Sequence, residues 1–311
     1  QKLGPDALAS AIDQAAAMPL EGVYSADDYA LDIANLYDKG LVGGLSTGLA
    51  SVDKLFTVVP GQLSVVTGLP GSGKSEFIDQ IMVNLAQSEG WRFAVASFEN
   101  PPPLHIAKLS EKYVGKPFFE GMPNRMSRVE SVSAMKWVND HFLFLEQRGG
   151  EAATIDSILD RARQAVMRLG IRGLVIDPYN YISQSKSVDN EHQGINEMLT
   201  RLVTFARANQ IHIWFIAHPA KMATNPDGTT AVPKGMNISG SAAFFAKADL
   251  GITLHLSPEK ASEIRSTGAT VLDYDMPTGR YSELKLEDMP DPFTARVPDW
   301  HETDDDWEIE T

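Results

Sequence analysis

Cysteine is absent from the 311 residues, and basic residues are scarce, with 27 Lys and Arg against 41 Asp and Glu. Without cysteine the chain has neither a disulfide framework nor thiolate chemistry, and a reducing interior compartment is consistent with that. No apolar run approaches the roughly 18 residues that a membrane span needs, and the N-terminus lacks the layout of a secretory signal. We therefore expect no membrane partner. The 43% of hydrophobic residues excludes wholesale disorder and predicts a sizeable core.

The net charge of −14 at first argues against a nucleic-acid partner, because phosphate binding favours a basic surface. The excess is concentrated at the two ends of the chain. Residues 1–50 carry −5, residues 291–311 carry −7, and the stretch between them carries only −2. The centre is close to neutral, so the net charge does not exclude such a partner.

The sequence predicts three regions. Residues 1–44 form two helices, Asp6–Met18 and Ser25–Lys39, each too short to fold alone, and both an ordinary extension and an oligomerisation arm fit them. In residues 45–290 apolar strands alternate with amphipathic helices, which predicts an α/β fold with a mostly parallel sheet covered on both faces. Residues 291–311 lose this periodicity and predict an acidic, disordered tail. The predicted strands are Gln62–Thr67, Phe93–Phe98, Asp140–Leu145, Leu174–Asp177, Ile211–Ala217, Leu250–Leu256 and Thr270–Tyr274, and the helices between them are Ser75–Glu89, Thr154–Leu169 and Gln193–Asn209.

A phosphate-binding loop follows the first of these strands and opens the first of these helices. Its residues fit the pattern G-x-x-x-x-G-K-[ST] in full; they are Gly68, Leu69, Pro70, Gly71, Ser72, Gly73, Lys74 and Ser75. The glycines allow backbone N–H groups to turn around phosphates, and the helix N-terminus adds its positive dipole end. Lys74 is predicted to neutralise the β- and γ-phosphates, and the Ser75 hydroxyl to bind Mg²⁺.

Three further strand ends carry candidate site residues. Asp177 ends an apolar strand, and an acid at such a position is common by itself. Because the chain also has a phosphate loop, Asp177 is better interpreted as the second group, after Ser75, that contributes to Mg²⁺ binding. Glu99 follows the strand that we expect to adjoin the phosphate loop, and it is either the base that polarises the attacking water or a solvated loop acid. His218 closes another strand, and it either contacts the γ-phosphate or is a structural residue.

Two loops follow the strands that end at Asp177 and His218. They span residues 179–192 and 221–241, and in a parallel sheet both project from the same edge. Their charge is modest. From the residues alone they are either contacts for a polymer or flexible surface loops.

Seven segments together resemble the ordered motifs of the Twinkle-like branch of replicative DNA helicases, the relatives of DnaB and of phage primase-helicases. The segments are Leu45–Asp53, Val58–Gly68, Gly68–Ser75, Ser97–Pro102, Val175–Asn180, Ala217–Lys221 and Ile238–Ala243. The resemblance runs from about residue 5 to about residue 285. It implies a RecA-like ATPase core that forms a hexameric ring, hydrolyses ATP or another NTP or dNTP with Mg²⁺, and translocates 5′→3′ on single-stranded or forked DNA.

The resemblance also implies roles for particular residues. Glu99 becomes the catalytic base, Asp177 the second metal-binding acid and His218 the γ-phosphate sensor. The two loops become the DNA-binding loops of the ring channel, and the N-terminal helices become a linker that docks on the adjacent subunit. The candidate DNA contacts are Lys221, Lys234 and Asn237.

The start of the chain and its cellular location are also expectations from the resemblance. Full-length relatives carry a TOPRIM primase domain before the linker, so a chain that opens on Gln1 without one suggests a truncated protein, and we predict no primase activity. The expected location is the cytoplasm of a bacterial or phage-infected cell, with the mitochondrial matrix as the alternative.

The segment before the last predicted strand departs from the family pattern. Family members have a basic Lys-x-Arg strand there, whose Arg reaches the neighbouring subunit's nucleotide. Here the segment is roughly ten residues shorter than we expect, so either Arg265 is that finger in a compressed loop or the basic strand is missing. Such a finger contributes on the order of 10³–10⁵ in rate to related phosphoryl transfers.

The acidic tail and the overall activity each leave alternatives open. The tail is either a solvated terminus or a docking segment for a DNA polymerase or single-strand-binding protein. Besides a helicase motor, the sequence fits a RecA- or KaiC-like ATPase that remodels DNA without unwinding it. It also fits a nucleotide-gated replication scaffold with poor turnover.

Overall fold

The structure is a computed structural model that describes residues 23–40, 43–146, 153–178, 191–219, 241–255 and 270–283, and the single positions 6, 9, 233, 237 and 238. It divides into two compact units, residues 1–43 and residues 44–311. Over the described ranges, none of the helices is both long enough and apolar enough to cross a membrane.

The first unit contains one described helix, α1 (Ala30–Lys39), which follows a 3₁₀ turn at Ala26–Tyr29. Ser25 is the N-cap of that turn, and its backbone N–H donates to the Asp28 carboxylate at 2.6 Å. Gly40 ends α1 with a φ of +69°, as the Ser25–Lys39 prediction anticipates. The predicted helix Asp6–Met18 lies outside the described ranges apart from two isolated positions.

The second unit is an α/β fold in which strands and helices alternate along the chain. Its strands are β1 (Leu63–Gly68), β2 (Phe93–Ser97), β3 (Phe142–Phe144), β4 (Gly173–Asp177), β5 (His212–Ile216), β6 (Leu250–Leu254), β7 (Leu272–Asp275) and β8 (Arg280–Glu283). Its helices are α2 (Ala50–Asp53), α3 (Lys74–Glu89), α4 (Pro102–Val114), α5 (Arg128–His141), α6 (Ile155–Leu169), α7 (Glu191–Asn209) and α8 (Ser241–Lys247).

Six strands form one parallel sheet in the order β3-β2-β4-β5-β1-β6, while β7 and β8 form a separate antiparallel hairpin. The predicted mostly parallel sheet is confirmed. One neighbour relation was wrong: β2, which precedes Glu99, does not adjoin the phosphate-loop strand β1, because β4 and β5 lie between them. All six strands still end at the same edge, and this edge collects the site residues.

Side chains of the central strands alternate between two hydrophobic layers. Along β5, Ile213 and Phe215 pack with α6 and α7 on one face, whereas Trp214 and Ile216 pack with α3 on the other. The central strands are therefore buried on both faces, which explains their continuous apolar runs. Because a hydrophobic layer packs on each face of the sheet, the carboxyl ends of the strands are held at fixed positions.

Candidate nucleotide-binding site

The phosphate loop connects the end of β1 to the start of α3. Gly73 is the N-cap of α3 and has a φ of +83°, and Gly71 has a φ of +76°, both in a region that side-chain-bearing residues rarely adopt. The Ser72 N–H donates to the Leu69 carbonyl at 3.1 Å and tightens the turn. The loop therefore ends at a helix N-terminus, whose first N–H groups favour anions.

The ammonium of Lys74 is folded back into this loop. Its Nζ donates to the carbonyls of Gly68 and Leu69, both at 2.9 Å, and the residue is buried. Burial lowers the pKa of Lys74, and attraction from Asp177 and Glu99 opposes this without cancelling it. Two backbone carbonyls thus hold the Lys74 ammonium in a partly desolvated position. Its attraction for an anionic ligand is stronger there than it would be in water.

Ser75 and Asp177 meet across the gap between α3 and β4. The Ser75 hydroxyl donates to Oδ2 of Asp177 at 2.6 Å. Both groups offer hard oxygen ligands, which Mg²⁺ prefers, and two protein ligands suffice for an ion that keeps waters and substrate oxygens around it. No cluster of three or more His, Cys, Asp or Glu suited to a metal occurs in the described part of the chain. The pair can hold Mg²⁺ together with a phosphate, but it is not a complete protein-only metal cage.

The Asp177 carboxyl has an unusual protonation equilibrium. Burial raises its pKa from 3.8 to about 6, and the carboxylates of Asp79 and Glu99 add to the rise. The hydrogen bond from Ser75 and the charge of His105 act in the opposite direction. The cost of burying the ionised carboxylate therefore outweighs the attraction of the cations near it, as is common for a group at a functional site.

Asp177→Asn is expected to stabilise the nucleotide-free protein above the carboxyl's folded-state pKa. Folding raises that pKa by about two units, each worth about 1.4 kcal/mol, so the free energy of unfolding should increase by about 3 kcal/mol near pH 8. The gain should shrink as the pH falls below about 6 and vanish below 3.8, where the wild-type carboxyl is protonated in both states.

Urea unfolding in EDTA, at about pH 8 and about pH 5, measures this difference. Asp140→Asn, at an exposed position on α5, is the matched control and should leave stability unchanged. An Asp177→Asn protein no more stable than wild type at the higher pH would contradict the charge balance described here.

Glu99 and His218 are brought together although β4 separates their strands. Nε2 of His218 lies 3.2 Å from Oε1 of Glu99. The Glu99 side chain is 41% exposed and that of His218 is 23% exposed, so both can reach solvent and a ligand. The structure therefore places these two site residues side by side, and their roles stay a prediction.

A buried pair behind the site was missed by the sequence analysis. Nε2 of His105, on α4, lies 2.9 Å from Oδ1 of Asp79, on α3, and both residues are buried. Burial acts to lower the pKa of His105, but attraction to Asp79 outweighs it and the pKa is raised. In the sequence, Asp79 could have been noticed because it lies one turn after Ser75 on the same helix. No sequence pattern indicated His105.

Three of the remaining predicted residues, Arg265, Lys221 and Lys234, lie outside the described ranges. Asn237 is described and is half-buried. It precedes Ile238, which forms an isolated antiparallel bridge with Pro219. The bridge places Asn237 near the end of β5.

Known proteins are similar to this chain over most of its length. A family model described as an AAA domain matches residues 41–224. The chain is 39% identical over 303 residues to the chloroplastic and mitochondrial Twinkle homolog protein of Arabidopsis thaliana, covering 90% of this chain and 42% of that protein. It is 28% identical over 179 residues to a probable plasmid replicative DNA helicase of Chlamydia psittaci, covering 55% of this chain and 38% of that one. The chain thus spans less than half the length of either relative.

Solved structures show the same fold at low sequence identity. The ATPase domain of the protein G40P superposes with a TM-score of 0.69 at 14% identity, covering 85% of this chain and all of that one. A DnaB-like replicative helicase, described together with its interactions with primase, gives a TM-score of 0.66 at 14% identity, covering 90% of this chain and 72% of that one. The chain therefore belongs to the AAA-domain family, and it is similar in sequence to a Twinkle homolog and in its RecA-like fold to DnaB-like helicase ATPase domains.

Proposed function

We propose that this chain is the motor domain of a ring-shaped replicative DNA helicase, which hydrolyses ATP or another nucleoside triphosphate while moving 5′→3′ along single-stranded DNA. The proposal rests mainly on three features that lie together at one edge of the sheet. They are the phosphate loop, the Ser75–Asp177 pair and the Glu99–His218 pair. Together they supply phosphate binding, a metal position and a candidate base.

Different residues of the chain bind the phosphates, accept the proton and sense the terminal phosphate. Backbone N–H groups at the start of α3 and the Lys74 ammonium bind and orient the phosphates. Glu99 accepts a proton from the attacking water, for which its solvent-accessible carboxylate is suited. His218, in contact with that carboxylate, can respond to whether the terminal phosphate is present.

Mg²⁺, when bound with nucleotide at Ser75 and Asp177, neutralises charge on the phosphate oxygens. Before it arrives, the Ser75 hydrogen bond keeps the two oxygen ligands together. The raised pKa of Asp177 gives this carboxylate a strong preference for a cationic partner. Arg265 is the candidate for completing a neighbour's site in trans, as the resemblance suggests.

Ring assembly and DNA binding form the second part of the proposal. Helix α1 exposes Ile33, Leu36 and Tyr37, the apolar face that a linker helix needs to dock on an adjacent subunit. We propose a hexamer whose channel is lined by the segments after β4 and β5, with Lys221, Lys234 and Asn237 as contacts. Repetition of weak contacts around a ring provides affinity without a basic surface, which reconciles a net charge of −14 with a DNA partner.

The two ends of the chain and its location complete the proposal. Residues 1–44 act as the oligomerisation arm, residues 45–290 as the motor, and the acidic residues 291–311 as a tail that can dock a polymerase or single-strand-binding protein. One relative is described as chloroplastic and mitochondrial, which supports the organellar location beside the bacterial or phage one.

Nucleotide hydrolysis with and without single-stranded DNA tests the proposal. A motor should show DNA-stimulated turnover that depends on oligomer formation, because its channel contacts come from several subunits. A nucleotide-gated scaffold would bind nucleotide and DNA without stimulation, and DNA binding by the monomer that resists salt would contradict the ring argument. A RecA- or KaiC-like remodeller would pair strands and leave a fork closed.

A further inference from the structure

The β7–β8 hairpin packs against α4 and against α3, the helix that begins at the phosphate loop. Arg280 donates from Nε to the Lys112 carbonyl at 2.7 Å and from a terminal nitrogen to the Tyr113 carbonyl at 3.0 Å, at the end of α4. The next residue, Tyr281, packs edge-to-face on Phe77 in the first turns of α3, with ring centroids 5.7 Å apart. Two consecutive residues thus join the hairpin to both helices.

The same hairpin contacts the phosphate loop itself. The Tyr281 hydroxyl donates to the Gly73 carbonyl at 3.1 Å, and this carbonyl also accepts the Phe77 N–H at 2.9 Å. A Cβ at Gly73 would collide with the Tyr281 hydroxyl, so the close approach requires glycine at that position. The Gly73 carbonyl is therefore held by a helix hydrogen bond and by a side chain 208 residues away.

Resting on the nucleotide binding proposed above, we infer that Tyr281 is a positioning residue for the phosphate loop, which aims the backbone N–H of Lys74 at the phosphates. The carbonyl of Gly73 and the N–H of Lys74 belong to one planar peptide unit and point in opposite directions. A hydrogen bond that fixes the carbonyl on the hairpin side therefore fixes the N–H on the loop side. That N–H stands at the helix N-terminus, where phosphate binding takes place.

The surroundings hold this contact in place. Glu76, on α3, pairs with Lys108 at 2.9 Å and also with the buried Lys112, so α3 and α4 are tied together beneath the hairpin. Burial raises the pKa of Tyr281 above its ordinary value, so its hydroxyl keeps the proton that it donates. The hairpin contact is therefore formed before nucleotide binds. Nucleotide affinity is higher as a result, because binding does not have to order the loop.

Titration of the full chain with Mg-ADP tests the inference, because ADP reports phosphate binding without hydrolysis. Tyr281→Phe keeps the ring on Phe77 and removes only the hydroxyl. The lost preorganisation is worth at most the net free energy of one neutral hydrogen bond, so we expect the dissociation constant to rise by up to about 3- to 10-fold, with KM for ATP rising in parallel and kcat unchanged. Hydrogen exchange of the loop in the nucleotide-free protein should become faster.

Tyr274→Phe is the matched control, because it removes a hydroxyl of the same hairpin that lies beside Gly279 at the turn. It should leave ADP affinity unchanged. Tyr281→Leu, which also removes the ring, should lower thermal stability without nucleotide by more than Tyr281→Phe does, because Tyr281→Phe loses only one hydrogen bond. Equal ADP affinity and equal loop exchange in wild type and Tyr281→Phe would overturn the inference, and so would an equal loss in Tyr274→Phe. A wild-type protein that does not bind Mg-ADP would instead refute the proposed function.

Discussion

Lys74→Ala is expected to lower nucleotide turnover by at least about 10²- to 10³-fold, the range for losing one preorganised group that stabilises developing charge. The ammonium is buried and held by two carbonyls of the phosphate loop, so its charge acts in a partly desolvated site. Alanine leaves the loop backbone in place and removes that charge. Steady-state hydrolysis at saturating nucleotide, with single-stranded DNA present, measures the loss.

Lys54→Ala is the matched control for this experiment. Lys54 is an exposed lysine just after α2, so its removal should leave turnover within about twofold of wild type, as for other surface substitutions. Turnover by Lys74→Ala equal to that of wild type would remove the phosphate loop from the reaction and, with it, the motor assignment.

Glu99→Gln is expected to retain nucleotide binding and to lose about 10²- to 10⁴-fold in hydrolysis, the usual contribution of a positioned general base. Glutamine keeps the size of the side chain and a hydrogen-bond acceptor for His218, but it cannot take the proton of the attacking water. Single-turnover hydrolysis and a parallel nucleotide titration separate chemistry from binding. Glu89→Gln, an exposed acid at the end of α3, should behave as wild type.

Either of two results would contradict the role of Glu99. Retained hydrolysis would show that another group accepts the proton. Loss of nucleotide affinity together with hydrolysis would show that the carboxylate supports the geometry of the site and not the chemical step. A loss confined to the chemical step is the outcome that the Glu99–His218 contact predicts.

The elements around the site differ in how far the sequence predicted them. The strands of the parallel sheet and α6 carried clear periodicity, and observed bounds such as Ile155–Leu169 lie close to the predicted ones, whereas strand β8 was not predicted. Helices α2, α4, α5 and α8 were not predicted. The run of prolines Pro101–Pro103 suggests a loop, but Pro102 and Pro103 form the first turn of α4, a position to which proline is well suited. Helix α5 had a usable signal, because Ser127 and Glu130 form a capping box.

The site residues divide in the same way. The phosphate loop and Asp177 lie in patterns that are local in sequence, and they were predicted from it. The contacts of Tyr281 with Gly73 and of His105 with Asp79 join distant parts of the chain and leave no local pattern. The wrong neighbour for β2 has a related cause, because the order of strands within a parallel sheet is set by the crossover connections and not by the strand sequences.

Unwinding of a forked duplex shows whether hydrolysis at this site drives strand separation. A fork with a 5′ single-stranded tail should open in the presence of hydrolysable nucleotide and Mg²⁺, and a fork with only a 3′ tail should not. Lys74→Ala should open neither. Hydrolysis with no strand separation on the 5′-tailed fork, or pairing of strands in its place, would contradict the account.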